Sequence, residues 1–96
     1  MRSILQTEKK CFICGKNGGA WGLDLHHVYF GSLRKKSDKY GLTVWLCHDS
    51  CHLNGVHKNA RINRKVQAFA QKKAMDHYGW SIEDFIKEFY KNYLEE

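Results

Sequence analysis

The apolar positions of this chain change period along its length. From Trp21 to Tyr29 they alternate, with Trp21, Leu23 and Leu25 on one side and Gly22, Asp24 and His26 on the other. That period of two predicts a half-buried strand. Phe30-Gly31-Ser32 ends it, and residues 31–41 read as a polar, basic loop. Leu42-Thr43-Val44-Trp45-Leu46 is β-branched and aromatic, so it predicts a second strand, which delivers the chain to Cys47. Residues 49–57 suit a short helix, although Gly55 disfavours it. From Ala60 the period becomes helical: Ile62, Val66, Phe69, Ala70 and Ala74 form one stripe. Tyr78-Gly79 stops that helix. Ser81, with Asp84 three residues on, caps a last helix carrying Ile82, Phe85, Ile86, Phe89, Tyr90 and Tyr93. Two strands followed by two helices predict an α+β fold.

The length, 96 residues, allows one domain, residues 1–96. Its core is thin enough that a metal cross-link would help. No stretch has the length or hydropathy of a secretory leader or a membrane span. The expected home is a reducing cytoplasm, where closely spaced cysteines hold metal more often than they form disulfides. The net charge of +6 is uneven. Residues 1–75 hold 14 lysines and arginines against four acids, and residues 76–96 hold two against six. A basic body points to an anionic partner, most simply a nucleic acid.

Four cysteines and four histidines fall near one another in sequence. Cys11-x-x-Cys14 is followed by Gly15 and Asn17, which let the backbone turn so that both thiolates face one ion. Cys47-x-x-x-Cys51 supplies a second pair, and the 32 residues between the pairs contain the predicted hairpin. A tetrahedral structural zinc on Cys11, Cys14, Cys47 and Cys51 would pin the knuckle to that hairpin. His48 or His52 in place of one sulfur is the alternative. That site leaves His26, His27, His52 and His57. Adjacent strand histidines point to opposite faces unless the strand bends. His52 and His57 are five apart, one more than a helical i, i+4 pair, so the backbone must distort to bring them together. His48 and His77 read as surface residues.

Cys11-x-x-Cys14, Leu25-His26-His27-Val28, Leu46-Cys47-x-x-x-Cys51-His52 and Val56-His57 resemble the HNH endonucleases of the ββα-metal (His-Me finger) type. The likeness is to small phage-encoded members with a zinc site, and it covers residues 11–57. It implies a zinc-bound ββα-metal core over residues 8–58 and a helical extension over 59–96. It also implies hydrolysis of DNA phosphodiester bonds, in the cytoplasm of a phage host. The implied catalytic residues are His27 as general base, with His26 and His52. The implied ligands of a catalytic Mg²⁺ or other divalent metal are His26, His52 and His57. One departure stands out. The family's middle asparagine is missing from Tyr40-Gly41-Leu42-Thr43, leaving Asp38 or a backbone carbonyl to orient His27.

Arg34, Lys35, Lys36 and Lys39 precede the second strand, and Lys58, Arg61, Arg64 and Lys65 follow His57. Both clusters suit phosphate contacts without sequence preference. Two other readings share parts of this pattern. A non-catalytic, zinc-stabilised nucleic-acid-binding module needs the cysteines and charge but no His26-His27 pair. A protein adaptor would dock through the acidic, aromatic last helix. The sequence leaves the oligomeric state open.

Overall fold

The computed structural model describes residues 2–17 and 22–94, with residues 50 and 53 by backbone alone. Gly18, Gly19 and Trp21, expected in the knuckle and at the head of the first strand, lie outside the described residues. The fold is mixed α+β. Strand β1 (Leu23–His27) pairs antiparallel with β2 (Thr43–Cys47), setting Asp24 opposite Leu46 and His26 opposite Val44. A 3₁₀ turn (Gly31–Leu33) and helix α1 (Arg34–Tyr40) lie between the strands. A π-helical segment (His48–Val56) follows β2, then α2 (Ala60–Tyr78) and α3 (Ile82–Phe89). Among the described residues no helix is long and apolar enough to cross a membrane.

The inward face of the sheet is the one bearing Asp24 and His26. His26, Val44 and Leu46 are buried, whereas Leu25 on the other face is 44% exposed. The segment before the knuckle runs along the outer edge of β2. Gln6 accepts from the Trp45 N–H at 2.8 Å, the Phe12 N–H donates to the Trp45 carbonyl at 2.7 Å, and Ser3 bonds the Thr43 carbonyl. These bonds cover an edge that would otherwise offer unpaired backbone groups.

Residues 31–41 are a correction to the loop expected there. Ser37 is fully buried, with Leu33 and Tyr40 partly so, giving a helical stripe at i, i+4 and i+7. Ser37 donates to the Tyr29 carbonyl at 2.6 Å and accepts from its N–H at 3.0 Å, anchoring α1 beneath β1. Gly41 ends the helix at φ 72°, and a Cβ there would sit 2.5 Å from the Arg2 carbonyl oxygen. Left-handed backbone and a backbone clash act together, so Gly41→Ala is expected to destabilise by more than about 2 kcal/mol. A urea midpoint unchanged from wild type would contradict this.

The main core lies where α2 and α3 meet the residues after β1. Val66, Ala70 and Ala74 are buried, while Ile62 and Phe69 are only partly so. Tyr29 packs on Phe85, Phe89 and Tyr93, with ring centroids 4.7–5.6 Å apart. Buried Gln71 accepts from the Tyr93 N–H and donates to Asn92, tying the C-terminal segment down. Ser81 and Asp84 form a reciprocal capping box at the start of α3. The stripe expected on that helix is narrower than predicted. Phe85 and Phe89 are fully buried, but Ile82 is 40% exposed and Tyr90, at φ 66°, is 70% exposed just past the helix end.

Candidate metal centre

Two clusters of ligand-type side chains lie at the junction of β1, β2 and the π-helical segment. Cys11, Cys14, Cys47 and Cys51 form one; His26, His52 and His57 form the other. Within each, the ligand atoms lie within 4.8 Å of one another.

The cysteine cluster is assembled by a tight turn. The Gly15 N–H donates to the Cys11 carbonyl and the Cys11 N–H to that of Lys16, both at 2.8 Å. Cys14 and Cys47 approach to 3.4 Å without forming a disulfide. The sulfurs of a tetrahedral zinc site with ~2.3 Å bonds stand about 3.8 Å apart, so modest adjustment would seat an ion. Burial raises the Cys11 thiol, but hydrogen bonds from the backbone of Cys14, Cys47 and Ile13 outweigh it and bring it to about 6. Cys47 is pushed the other way, first by its hydrogen bond with Cys14 and then by burial. Thiols this close cannot all ionise without a cation among them. The donor set therefore fits a structural zinc.

The histidine cluster depends on the unusual helix. The His57 N–H donates to the His52 carbonyl at 3.2 Å, an i→i+5 bond that places residue 57 one wide turn beyond residue 52. A five-residue spacing that an α-helix would misalign is brought to one side by this winding. The two Nε2 atoms stand 3.0 Å apart. The His26 ring reaches them from β1, with centroids 5.1 Å from His52 and 5.5 Å from His57. His26 Nε2 is buried and has no hydrogen-bond partner among the described residues. An orphan nitrogen costs about 1–3 kcal/mol unless something binds it, and one nitrogen of this ring lies within 4.8 Å of ring nitrogens of His52 and His57. Three neutral imidazoles suit a divalent transition metal and leave positions open beside exposed His57.

Burial, then the neighbouring His52, His57 and His27 rings, push the His26 pKa down to about 3 from 6.5. The same causes, burial first and then His52, lower His57. The sign for stability follows from His26. The unfolded chain binds its proton near pH 6.5 and the fold does not, so its contribution is complete above pH 6.5 and declines as pH falls toward 3. Between pH 6.5 and 5 the loss from this group should average about 1 kcal/mol per pH unit, steepening as pH falls. Urea denaturation of wild type and His26→Phe, with no metal on the histidines, checks it. Equal pH slopes in the two proteins would contradict it.

His27 lies on the opposite face of β1 from His26, as regular alternation requires. Its Nε2 is 3.5 Å from Asp38 Oδ1 on α1, and its side chain is 12% exposed. Asp24 and His48 adjoin the histidine cluster; the His48 side chain is 41% exposed, as expected of a surface residue, yet it bonds Asp24, which the spacing gave no part. Asp24 Oδ2 lies 2.7 Å from His48 Nδ1 and 2.8 Å from His52 Nδ1. Burial raises the Asp24 pKa, but hydrogen bonds to His52 and His48 outweigh it and the net direction is down. Two signals were present in the sequence. Asp24 sits two residues before His26, on the same strand face, and each cysteine of the second pair is followed by a histidine.

The basic residues divide. Arg34, Lys35, Lys58, Arg61, Arg64 and Lys65 are exposed. Lys36 instead donates to the Glu88 carbonyl at 2.8 Å and lies over the Tyr90 ring, clamping α1 to α3. Lys39 is also exposed, with its Nζ 5.2 Å from the Tyr40 ring centroid. His77, expected at the surface, is exposed at the end of α2.

No protein-family model, curated protein or solved structure matches the chain.

Proposed function

We propose that this chain is a metal-dependent DNA endonuclease of the HNH type, with a separate structural zinc on its four cysteines. The observation that carries the reading is the convergence of three imidazoles, with a ring nitrogen each of His26, His52 and His57 within 4.8 Å of one another and the buried His26 Nε2 without a hydrogen-bond partner among the described residues. The order of parts supports it: a strand bearing His26-His27, a second strand, then a helical segment bearing His52 and His57. That order is the one the HNH resemblance implies, here with α1 inserted between the strands.

His26, His52 and His57 would hold Mg²⁺ or a transition metal. Bound there, the ion supplies Lewis-acid stabilisation of charge on the phosphate and the leaving 3′ oxygen. The chain's own residues do the rest. By the HNH resemblance His27, the last residue of β1, would take the proton of the attacking water at Nδ1. Asp38, 3.5 Å from His27 Nε2, would take over the orienting role of the missing asparagine and favour the imidazolium that forms. Arg34, Lys35, Lys58, Arg61, Arg64 and Lys65 neutralise phosphates on either side of the break.

A non-catalytic nucleic-acid-binding module gives no reason for a buried imidazole nitrogen beside two others. An adaptor docking through the last helix meets a further difficulty, because Phe85 and Phe89 are fully buried inside the fold. Nicking of supercoiled plasmid with Mg²⁺ or Mn²⁺ tests the proposal. Cleavage that disappears in His26→Ala and His27→Ala is expected. DNA binding without cleavage by wild type would favour the module, and neither binding nor cleavage the adaptor.

A further inference from the structure

We infer that Asp24 and His48 are positioning residues for the histidine centre, acting through His52 without binding the ion themselves. The inference rests on the reading of His26, His52 and His57 as a metal centre. Asp24 Oδ2 lies between two ring nitrogens, 2.8 Å from His52 Nδ1 and 2.7 Å from His48 Nδ1. A carboxylate only accepts, so each Nδ1 carries the proton it donates. His52 is thereby fixed in the tautomer whose lone pair is on Nε2, the nitrogen 3.0 Å from His57 Nε2. A ligating histidine whose other nitrogen donates to a carboxylate is held in both ring orientation and tautomer, and is the stronger base for it.

His48 does for Asp24 what Asp24 does for His52. The Asp24 side chain is 32% exposed and that of His52 18%, so water could compete for the carboxylate. A second donor on the same oxygen limits the carboxylate's rotamers. The backbone fixes where that donor stands. The His48 N–H donates to the Gly22 carbonyl at 3.2 Å, extending the ladder by one bond beyond Cys47 and bringing His48 alongside Asp24. Cys47 precedes His48 and Cys51 precedes His52, so the backbone of each imidazole on Asp24 is anchored next to a ligand of the cysteine cluster. The four-cysteine site thus sets the backbone that aims the histidine site, and Asp24 is the link.

The test uses the full chain with zinc on the cysteines and titrates Co²⁺ by calorimetry. Wild type is expected to bind one Co²⁺ at the histidines. Asp24→Ala should bind it about 10–100-fold more weakly. His48→Ala should lose less, and His48→Gln, which keeps an N–H donor, should recover much of that loss. Zinc content of one per chain and an unchanged circular dichroism spectrum show that each variant folds. A second readout needs no cobalt: ¹⁵N shifts of His52 should report Nδ1–H in wild type and a tautomer mixture in Asp24→Ala. Cobalt binding by wild type with equal affinity in Asp24→Ala and His48→Ala, or an unchanged His52 tautomer in Asp24→Ala, overturns the inference while sparing the metal centre. Absence of cobalt binding in wild type overturns both.

Discussion

Stripping zinc from the four cysteines, or replacing Cys11 with serine, is expected to unfold residues 8–58 and with them the rest of the chain. Magnitudes decide this. A domain of this size holds roughly 5–15 kcal/mol of stability in total. A structural zinc on a small chain is worth about 10–16 kcal/mol at neutral pH, so losing it removes about all of the margin. The geometry agrees. Cys11 is 1% exposed, and the turn that carries it also brings Phe12 against Phe69 on α2, with ring centroids 5.3 Å apart. Four thiols left without a cation would repel when ionised, and those of Cys11, Cys47 and Cys51 would remain buried when not. Circular dichroism melts with and without a zinc chelator provide the check. A chelated chain that still melts cooperatively within a few degrees of the untreated one would contradict the account.

The second large effect falls on chemistry. His27→Ala is expected to slow plasmid nicking by about 10²–10⁴-fold, the usual contribution of a general base. Because His27 belongs to the other face of β1 from His26, the variant should keep its affinity for the divalent ion. Asp38→Ala should cost less, since Asp38 orients the ring at 3.5 Å from an exposed position and touches no reacting atom. Metal binding measured on the same samples separates this from a collapsed site. His27→Ala cleaving at the wild-type rate would remove it as the base.

The features legible in the sequence are those set by local spacing. Cys11-x-x-Cys14 and Cys47-x-x-x-Cys51 announce a ligand cluster because each pair needs only one turn to converge. Ser81 and Asp84 mark the start of α3 because the capping box closes within four residues. Other features depend on parts distant in the chain. Leu25 looks like a core residue until the packing shows which side of the sheet is covered. Helix α1 hides behind its charges, since Leu33, Ser37 and Tyr40 give too short a stripe to outweigh four basic residues. Winding from His48 to Val56 into a π-helix has no sequence signature, although the five-residue histidine spacing required some distortion. Asp24 gains its partners only when β1 and β2 pair, because His48 and His52 come from more than 20 residues away.

The most direct test is a count of ions. Zinc-loaded wild type, titrated with Co²⁺ and examined by anomalous X-ray diffraction, should hold zinc among the four sulfurs and cobalt among the Nε2 atoms of His26, His52 and His57. The His26→Ala variant should keep only the zinc. A single ion per chain at saturating cobalt, with the three imidazoles bare, would contradict the proposed nuclease centre.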